Sequence, residues 1–435
     1  MLHRRRTTQV VDGNDTNSRP VRRLRRGHPL GVLRNGQYRR YWAAGFATFT
    51  GFNMQMLIRG WMMYELTQSP LMVTMVTAAM MLPMLFLSLV GGALADRIDR
   101  KKITIVADIT MLCAFTVLFG ISAAGIMAPW HILTISAING IAFSLSVSAR
   151  QAMISGIVHR EQMRTAVGLS ATTFNSAQII GPAIGGTMLP LLGATWALGV
   201  SSIAVLPAIY FYSTLKPAHH TSVKDASGSI IENVKAGLSY AFGHKTLRFL
   251  MLGSMVMILT VGPFQSLMPV FAEDVLHVGA GGLGVLMLAA GIGALTGSIV
   301  VVVIGERVGH QKLELLFGLL AAAALSAFAL SPWFALSIFL VSITAFAVTS
   351  FMVINMTVVQ IMTPDHLRGR VVSVRFLVIG LMPFGALSMG GAAETIGAPT
   401  AVAIIAGIGA IGFALVQIAS RIFSKPDSQS TPSNK

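Results

Sequence analysis

The 435-residue sequence is poor in charged residues and in cysteine. Only 11% of its residues are charged, whereas 54% are hydrophobic; a soluble domain carries about 25% charged residues. A chain with so little polar surface cannot cover itself in water, so a lipid bilayer is its natural solvent. The single cysteine, Cys113, lies in an apolar run. This excludes a disulfide framework and a Cys/His metal cluster.

Acidic residues are scarcer than basic ones, with 16 Asp and Glu against 32 Lys and Arg. The excess does not indicate nucleic-acid binding, because eleven arginines and two aspartates lie in residues 1–40 and the other basic residues are spread over short loops. We interpret 1–40 as a basic cytoplasmic tail that contacts anionic lipid. The sequence has no Walker A loop and no Ser/His/Asp or Cys/His constellation. We therefore expect neither an enzyme nor an ATP-driven pump, and no cofactor or metal.

Long apolar runs make up most of the remaining chain. A helix needs about 20 residues to cross a membrane, and twelve runs reach that length: 41–63, 70–94, 103–125, 129–149, 165–192, 195–215, 249–271, 282–304, 313–331, 333–361, 371–393 and 398–420. Twelve crossings place both termini on one side. With the N-terminus in the cytoplasm, 31 of the 32 Lys and Arg lie toward the cytoplasm and only Arg59 lies toward the outside, as the positive-inside rule requires.

The longest interval between crossings, residues 216–248, divides them six and six. The predicted domains are a tail (1–40), a six-helix bundle (41–215), a cytoplasmic linker (216–248), a second six-helix bundle (249–420) and a tail (421–435). Within the linker, apolar residues recur at helical spacing. They are Ile230, Ile231, Val234, Leu238 and Ala241, and they predict an amphipathic helix on the membrane surface.

The two bundles carry a faint internal repeat. At an offset of 210 residues, ALADRIDRKKI (93–103) aligns with VIGERVGHQKL (303–313). After the fourth and tenth crossings, 150–167 resembles 356–372 when one gap is allowed, and Gly181 and Gly186 then align with Gly385 and Gly390. Two halves in the same orientation predict parallel repeats with a cavity between them at the membrane midplane.

Two motifs resemble signatures of the major facilitator superfamily. The first is the loop between helices 2 and 3, with Gly92, Leu94, Ala95, Asp96, Arg97, Arg100 and Lys101, where Asp99 replaces the usual Gly. The second is the fifth-helix antiporter signature, with Gly181, Pro182, Gly185 and Gly186, where Ala177 replaces the first Gly. Residues 59–70, 149–163 and 364–373 are similar more narrowly to the enterobactin-exporter and macrolide-efflux branch. The resemblance covers about residues 40–420. It implies an all-α membrane protein with twelve transmembrane helices in two pseudo-symmetric six-helix bundles, and it does not fix the substrate.

Asp96 lies near the C-terminal end of helix 2, where a carboxylate opposes the dipole of its own helix. The resemblance implies that it docks at the start of helix 11 and latches the cytoplasmic side shut. The predicted latch consists of Gly92, Asp96, Arg97, Arg100, Lys101, Asp108, Arg368 and Arg370. The alternative is a solvated loop that only fixes topology. The motif leaves the role of Asp99 unexplained.

In helix 5, Pro182 lacks an N–H and frees the carbonyl of Gln178, while Gly181 and Gly185 permit close contact with another helix. The resemblance implies that this patch bends helix 5 against Gly293 and Gly297 of helix 8. Close packing without a bend is the alternative.

Charged residues within the crossings are few. Arg59 is expected to face the cavity and bind an anionic substrate group, or to pair with Glu65. Asp108 is expected to join the latch with Arg100 or Arg375, or else to carry protons, and Glu65 is a second candidate proton site.

Polar residues of the crossings are candidates for the wall of the substrate cavity. They are Asn53, Gln55, Asn139, Asn175, Gln178, Gln265 and Asn355. The resemblance implies that helices 1, 4, 7 and 10 line the cavity, which favours Gln55, Asn139, Gln265 and Asn355. Each of these side chains can instead join helices to one another.

These features together predict a multi-pass, monomeric transporter of the bacterial inner membrane with both termini in the cytoplasm. We expect two bundles that rock around a central site and export a lipophilic small molecule, either drug-like or a siderophore, with the proton as coupling ion. An uptake carrier of the same fold and a non-transporting receptor or scaffold are the alternatives.

Overall fold

The computed structural model describes residues 29–97, 99–216, 230–304 and 310–423, and these ranges contain helices and turns without any strand. Twelve helical crossings follow in the predicted order. Helices 1 to 4 are Gly36–Thr67, Pro70–Arg97, Arg100–Ala123 and Pro129–Ile157. The continuous helix Met163–Ile203 breaks at Gly193, which has a φ of 76°. Helix 5 is therefore 163–192, and helix 6 runs from 194 through Leu206–Ser213.

The second half repeats this order after the linker helix, Ile230–Gly243. Helix 7 runs over Lys245–Val275 as successive α, π and 3-10 turns. Helices 8, 9 and 10 are Gly279–Ile304, His310–Ala329 and Phe334–Met362. Helix 11 has two segments, Asp365–Ile379 and Met382–Ile396, and helix 12 is Ala398–Phe423. The all-α fold with twelve crossings is confirmed, while most of the predicted tails lie outside the described residues.

Length and composition support this count. Nine helical stretches of the described chain are long and apolar enough to cross a membrane, and one of them, Thr165–Ser213, holds both helix 5 and helix 6. Helix 2 contributes the shorter apolar stretch Pro70–Leu85. Helix 1 is more polar because it carries buried polar residues such as Gln55 and Arg59.

Asp99, which the family motif leaves unexplained, starts helix 3. Its carboxylate accepts a hydrogen bond of 2.9 Å from the backbone N–H of Lys101, so it is the N-cap residue that satisfies an otherwise unpaired amide. Asn35 caps helix 1 in the same way, at 3.0 Å from the N–H of Gln37. Asp99 therefore has a structural role as the N-cap of helix 3.

Helix packing follows the same plan in both halves. Helix 1 packs on helix 5 and helix 2 on helix 4, while helix 7 packs on helix 11 and helix 8 on helix 10. The halves meet along two pairs, helix 5 with helix 8 and helix 11 with helix 2. Helix 5 is equivalent to helix 11 in the repeat, and helix 8 is equivalent to helix 2. The two contacts are therefore equivalent, as expected for the predicted parallel repeats.

Small residues at the two interfaces occupy equivalent positions. A Cβ atom on Gly186 would lie 2.8 Å from the backbone nitrogen of Gly284 in helix 8, and one on Gly390 would lie 2.8 Å from the Cγ2 of Thr74 in helix 2. Thr74 and Gly284 are separated by the 210-residue offset of the repeat. The aligned glycines therefore hold the two halves together at matching points.

The expected contact of Gly293 and Gly297 with helix 5 is wrong. A Cβ atom on Gly293 would collide with the carbonyl of Ser342, and one on Gly297 with that of Phe346, both in helix 10. Helix 8 uses Gly284 and Gly291 against helix 5 instead. Since a helix has 3.6 residues per turn, helix 8 carries glycines on two faces, and their spacing does not say which neighbour each face meets.

Hydrogen bonds join the halves at the face opposite to the termini, which we call the distal face. Tyr64, near the end of helix 1, donates to the carboxylate of Asp274, near the end of helix 7. Ser69 donates to Glu394 of helix 11 at 2.8 Å. Tyr64 and Asp274 are also separated by the 210-residue offset, so equivalent ends of the two halves meet each other at the pseudo-symmetry axis.

The predicted linker helix is present and packs on the first segment of helix 11. Gly237 allows this close approach, since a Cβ atom there would lie 2.5 Å from the carbonyl oxygen of Arg370. Ala241 is buried, while Leu238 and Phe242 are exposed. The linker thus contacts the second half directly, and its position on a membrane surface stays a prediction.

Candidate functional site

A cavity of about 950 Å³, its open mouth included, lies between the two halves. Six helices form its wall. The lining residues include Asn53, Met56, Leu57 and Gly60 of helix 1, Val73, Val76 and Thr77 of helix 2, and Asn175, Gln178, Ile179 and Pro182 of helix 5. The second half adds Gln265, Ser266 and Pro269 of helix 7, Met287, Ala290, Gly291, Ala294 and Leu295 of helix 8, and Thr349 of helix 10.

The chemistry of this wall is amphiphilic and uncharged. Among the described residues that line the cavity, the polar groups are carboxamides and hydroxyls, and none is a Lys, Arg, His, Asp or Glu. Asn53 is oriented by its own helix, because its amide donates to the carbonyl of Phe49 at 2.7 Å. Such a wall can hydrogen-bond carbonyl, amide and hydroxyl groups of a ligand while methionine and aliphatic side chains bury its apolar parts.

Of the four favoured cavity residues, only Gln265 lies on the wall. Gln55, Asn139 and Asn355 are fully buried within their own halves. The amide of Gln55 donates to Ser201 of helix 6 at 2.7 Å. Because none of the three is among the described lining residues, the prediction that they line the cavity is wrong.

Arg59 neither faces the cavity nor pairs with Glu65. It is fully buried inside the first half, where its guanidinium donates to the carbonyl of Gln55 at 3.1 Å and to the hydroxyl of Ser136 at 2.9 Å. The ring of Phe115 lies 5.9 Å from the guanidinium carbon. Glu65 is exposed and accepts a hydrogen bond from the indole of Trp61 at 2.7 Å. Both expectations for Arg59 are therefore wrong.

Asp108 joins helix 3 to helices 1 and 4. It forms a salt bridge with Arg150, and its other oxygen accepts a hydrogen bond from Thr48 at 3.2 Å. Asp108 is fully buried, and Arg150 is 3% exposed. The guanidinium of Arg150 lies 5.2 Å from the Phe49 ring and 5.4 Å from the Tyr212 ring. The partner of Asp108 is thus Arg150 of the same half, rather than Arg100 or Arg375.

A second polar network lies in the other half. The amide of Asn355 donates to the carboxylate of Glu314 at 2.6 Å, and its oxygen accepts from the Nε of Arg375 at 3.0 Å. Arg375 also donates to the carbonyl of Met352 at 3.1 Å. Helices 9, 10 and 11 are joined in this way, with an uncharged amide between the acid and the base.

The latch residues fall into two groups. Gly92, Asp96, Arg97 and Arg368 lie in stretches of helix whose side chains are outside the described part of the structure, so docking of Asp96 on helix 11 stays a prediction. Arg370 is exposed beside the linker helix.

Arg100 and Lys101 have contacts within the first half. Arg100 donates to the carbonyl of Ala152 at 3.0 Å, and Lys101 donates to the carbonyls of Ser213 at 2.8 Å and Leu215 at 2.6 Å. Because Ala152 is in helix 4 and Ser213 ends helix 6, both cations join helix 3 to neighbours in its own half.

The glycines of the helix-5 motif pack against two different helices. A Cβ atom on Gly181 would lie 2.7 Å from the Cβ of Asn53, and one on Gly185 would lie 3.2 Å from Leu57, so both glycines pack on helix 1. Gly186 packs on helix 8, as described above, and Pro182 lines the cavity. The motif therefore binds helix 5 to its own half and to the other half at once.

Asn53, Asn175 and Gln178 lie on the cavity wall although they were not favoured. Asn175 and Gln178 are in helix 5, outside the favoured helices, whereas for helix 1 the prediction favoured Gln55 over Asn53. Their signal was periodicity: Asn175, Gln178 and Pro182 recur at positions i, i+3 and i+7, which lie on one helical face. Glu314 and Arg150 were missed because both lie at the predicted ends of their crossings. Glu314 is the second residue of the run 313–331, and Arg150 is the first residue after the run 129–149.

A cavity between two pseudo-symmetric six-helix bundles is the arrangement of membrane transporters of the major facilitator type. The family model described as "Transmembrane secretion effector" matches residues 28–435. The chain therefore belongs to this family.

Curated relatives include efflux and siderophore transporters. The chain is 25% identical over 351 residues to "Multidrug efflux pump Tap" of Mycobacterium tuberculosis, covering 76% of this chain and 80% of that protein. It is 22% identical over 363 residues to "Staphyloferrin A transporter" of Staphylococcus aureus, covering 82% and 89%.

Among solved structures, a bacterial homolog of the human lysosomal transporter Spinster in an inward-facing, unoccupied conformation superposes with a TM-score of 0.71. It is 16% identical, and the match covers 92% of this chain and 99% of that one. This likeness shows the fold.

Proposed function

We propose that the protein exports an uncharged, lipophilic small molecule by alternating access, driven by a proton gradient, with both termini in the cytoplasm. The observation that carries this proposal is the cavity between the halves, whose lining is amphiphilic and uncharged. The relatives named for multidrug efflux and for siderophore transport support a small-molecule substrate.

The contacts between the halves support alternating access. The hydrogen bonds of Tyr64 with Asp274 and of Ser69 with Glu394 close the distal face. Glycines lie where helix 5 contacts helix 8 and where helix 2 contacts helix 11. Because they have no side chain, the two halves can rock against each other at these contacts. Opening the distal face requires these few hydrogen bonds to break while the core of each half stays intact.

The wall of the cavity favours an uncharged drug-like compound over a polycarboxylate siderophore. A ligand with several carboxylates would lose its hydration in the cavity and would need cationic side chains in return. Gln178 and Gln265 offer uncharged amides instead. They suit a ligand with hydroxyl and amide groups on an apolar frame.

Transport in everted membrane vesicles tests direction and substrate charge together. We expect chloramphenicol, an uncharged amide with hydroxyl groups, to accumulate in vesicles when a proton gradient is imposed, and citrate, a tricarboxylate, not to do so. Gln178→Ala and Gln265→Ala should lower chloramphenicol transport because each removes an amide from the wall. Thr187→Ala is the matched control, since Thr187 is exposed on helix 5 and bonds only to carbonyls of its own helix.

The outcomes separate the alternatives. Movement of chloramphenicol in the opposite direction would identify an uptake carrier, and absence of flux for every compound would favour a receptor or scaffold. Transport that is independent of the pH gradient would remove the proton from the proposal and leave the carrier.

The latch has its own test. Asp96→Asn should leave the amount of protein in the membrane unchanged and strongly reduce chloramphenicol flux, because the uncharged amide no longer holds the start of helix 11. Asp99→Asn is the control: the same chemical change three residues away keeps an N-cap side chain. Wild-type flux in Asp96→Asn would rule out the latch.

A further inference from the structure

A second pocket lies within the second half, apart from the central cavity. Helices 7, 9, 10 and 12 enclose about 400 Å³, open end included. Its wall is mainly aromatic and aliphatic, with a few uncharged polar side chains and one acid. The lining residues include Phe249, Phe351, Phe413, Val416, Gln417, Ser420 and Glu314. Glu314 is the charged residue of the described lining, and it lies two residues from the start of the apolar stretch Lys312–Ala329.

We propose that Glu314 is the proton-binding carboxyl of the second half and that the proton reaches it through this pocket. The inference rests on the proton-coupled function proposed above and adds the residue that carries the proton. Its basis is geometric: a partly buried carboxyl opens to the pocket on one side and contacts an uncharged amide on the other.

The amide partner permits both protonation states. Asn355 donates to the Glu314 carboxylate at 2.6 Å. A protonated Glu314 can still accept this bond through its carbonyl oxygen, because a carboxylic acid keeps acceptor capacity. Gain or loss of a proton therefore does not break the contact between helices 9 and 10.

The acid of the first half lacks this freedom. Asp108 is fully buried and shares its two oxygens between Arg150 and Thr48. Protonation would leave the charge of Arg150 buried without a counter-charge, which is strongly unfavourable. The comparison places proton exchange at Glu314 and a fixed ion pair at Asp108.

The polar and charged groups around Glu314 connect it to helix 11. Helix 11 contributes Arg375, whose Nε donates to the oxygen of Asn355 at 3.0 Å. Helix 10 presents Asn355 itself, and the described pocket residues from helices 7 and 12 are uncharged. On its own helix, the exposed Lys312 lies two residues away.

Arg375 lies in the first segment of helix 11, which contacts the linker helix and ends before the break at residues 380–381. A negative Glu314 attracts Arg375 through Asn355, and a neutral Glu314 does not. Proton binding thus loosens this segment from helices 9 and 10, at the place where the latch is predicted to dock.

Dicyclohexylcarbodiimide tests proton binding on the wild-type protein without any substrate. This apolar reagent adds a protonated carboxylic acid across one of its C=N bonds: the carboxyl oxygen bonds to the central carbon and the proton goes to nitrogen. We expect mass spectrometry to find the adduct on Glu314 when the reaction is run in acidic buffer and to find none when it is run in alkaline buffer. Asp108 should carry no adduct in either buffer. An unmodified Glu314 at both pH values, or an adduct on Asp108 instead, would overturn the inference.

Transport by Glu314→Gln tests coupling. In proteoliposomes, chloramphenicol transport driven by the pH gradient should be lost, while exchange of chloramphenicol across the membrane without a gradient is retained. Glu161→Gln, which alters an exposed acid between helices 4 and 5, should retain both activities. Retained gradient-driven transport in Glu314→Gln would overturn the role of Glu314 and leave the proposed function standing. If wild-type protein does not transport chloramphenicol, the proposed substrate fails, and the carbodiimide experiment still decides whether Glu314 binds a proton.

Discussion

The two halves share one helix arrangement and place different chemistry inside it. In the first half, Asp108 contacts Arg150 directly and is sealed from solvent. In the second half, Asn355 separates Glu314 from Arg375, and a pocket opens beside the acid. The repeat has therefore kept the packing positions and changed the polar groups, so that one half carries a fixed ion pair and the other an acid with an adjustable charge.

We expect the largest effect on stability from breaking the ion pair between Asp108 and Arg150. Asp108→Asn should lower the free energy of unfolding by about 3–5 kcal/mol, because it leaves the charge of Arg150 buried without a partner. Thermal unfolding in detergent measures it as a fall in Tm. Glu314→Gln is the comparison in the other half and should cost clearly less, since its partner is an amide. Equal losses in the two variants would contradict the distinction between the halves.

The interface glycines give the next effect. Gly186→Ala and Gly390→Ala place a methyl group against Gly284 and Thr74 respectively, and overpacking of this kind costs about 1–3 kcal/mol. Both variants should lower Tm and slow chloramphenicol exchange to a similar extent, because the sites are equivalent in the repeat.

Gly168→Ala serves as the control for these two variants, as its Cβ on the same helix 5 would meet no atom within 4 Å. If only one of Gly186→Ala and Gly390→Ala affected exchange, the two interfaces would not act as equivalent surfaces.

The smallest effect concerns the distal face. Tyr64→Phe removes the hydrogen bond to the Asp274 carboxylate, which is one of several contacts at this face, and should increase the population with the distal face open. Spin labels on Leu66→Cys and Ile396→Cys, both exposed at distal helix ends, would report longer distances in a background without Cys113. Tyr240→Phe, the same substitution in the linker helix, should leave the distances between the spin labels unchanged. A wild-type distance distribution in Tyr64→Phe would show that the other distal contacts alone close this face.

The crossings, the linker helix and the repeat were predictable from the sequence because each is a local or periodic pattern. Twenty apolar residues demand a helix in lipid, and the offset of 210 residues reappears in the contact between Tyr64 and Asp274. The site was less predictable. Of the favoured cavity residues only Gln265 lies on the wall. Helix number excluded Asn175 and Gln178 of helix 5, and in helix 1 it could not tell that Asn53, rather than Gln55, faces the cavity.

The sequence by itself determined the solvent, the number of crossings and the equivalence of the two halves, since hydrophobic length and repeated residues act without reference to distant parts of the chain. Only the tertiary structure decided which face of each helix meets the cavity and which acid meets which base. Arg150 lies 42 residues from Asp108, and Glu314 lies 41 from Asn355. In a bundle, helix rotation and crossing angle decide which side chains meet. Many other polar residues lie at similar separations along the sequence, so separation alone does not identify the pairs. The cost of burying a charge then selects the pairing, and it does so only after the helices have packed.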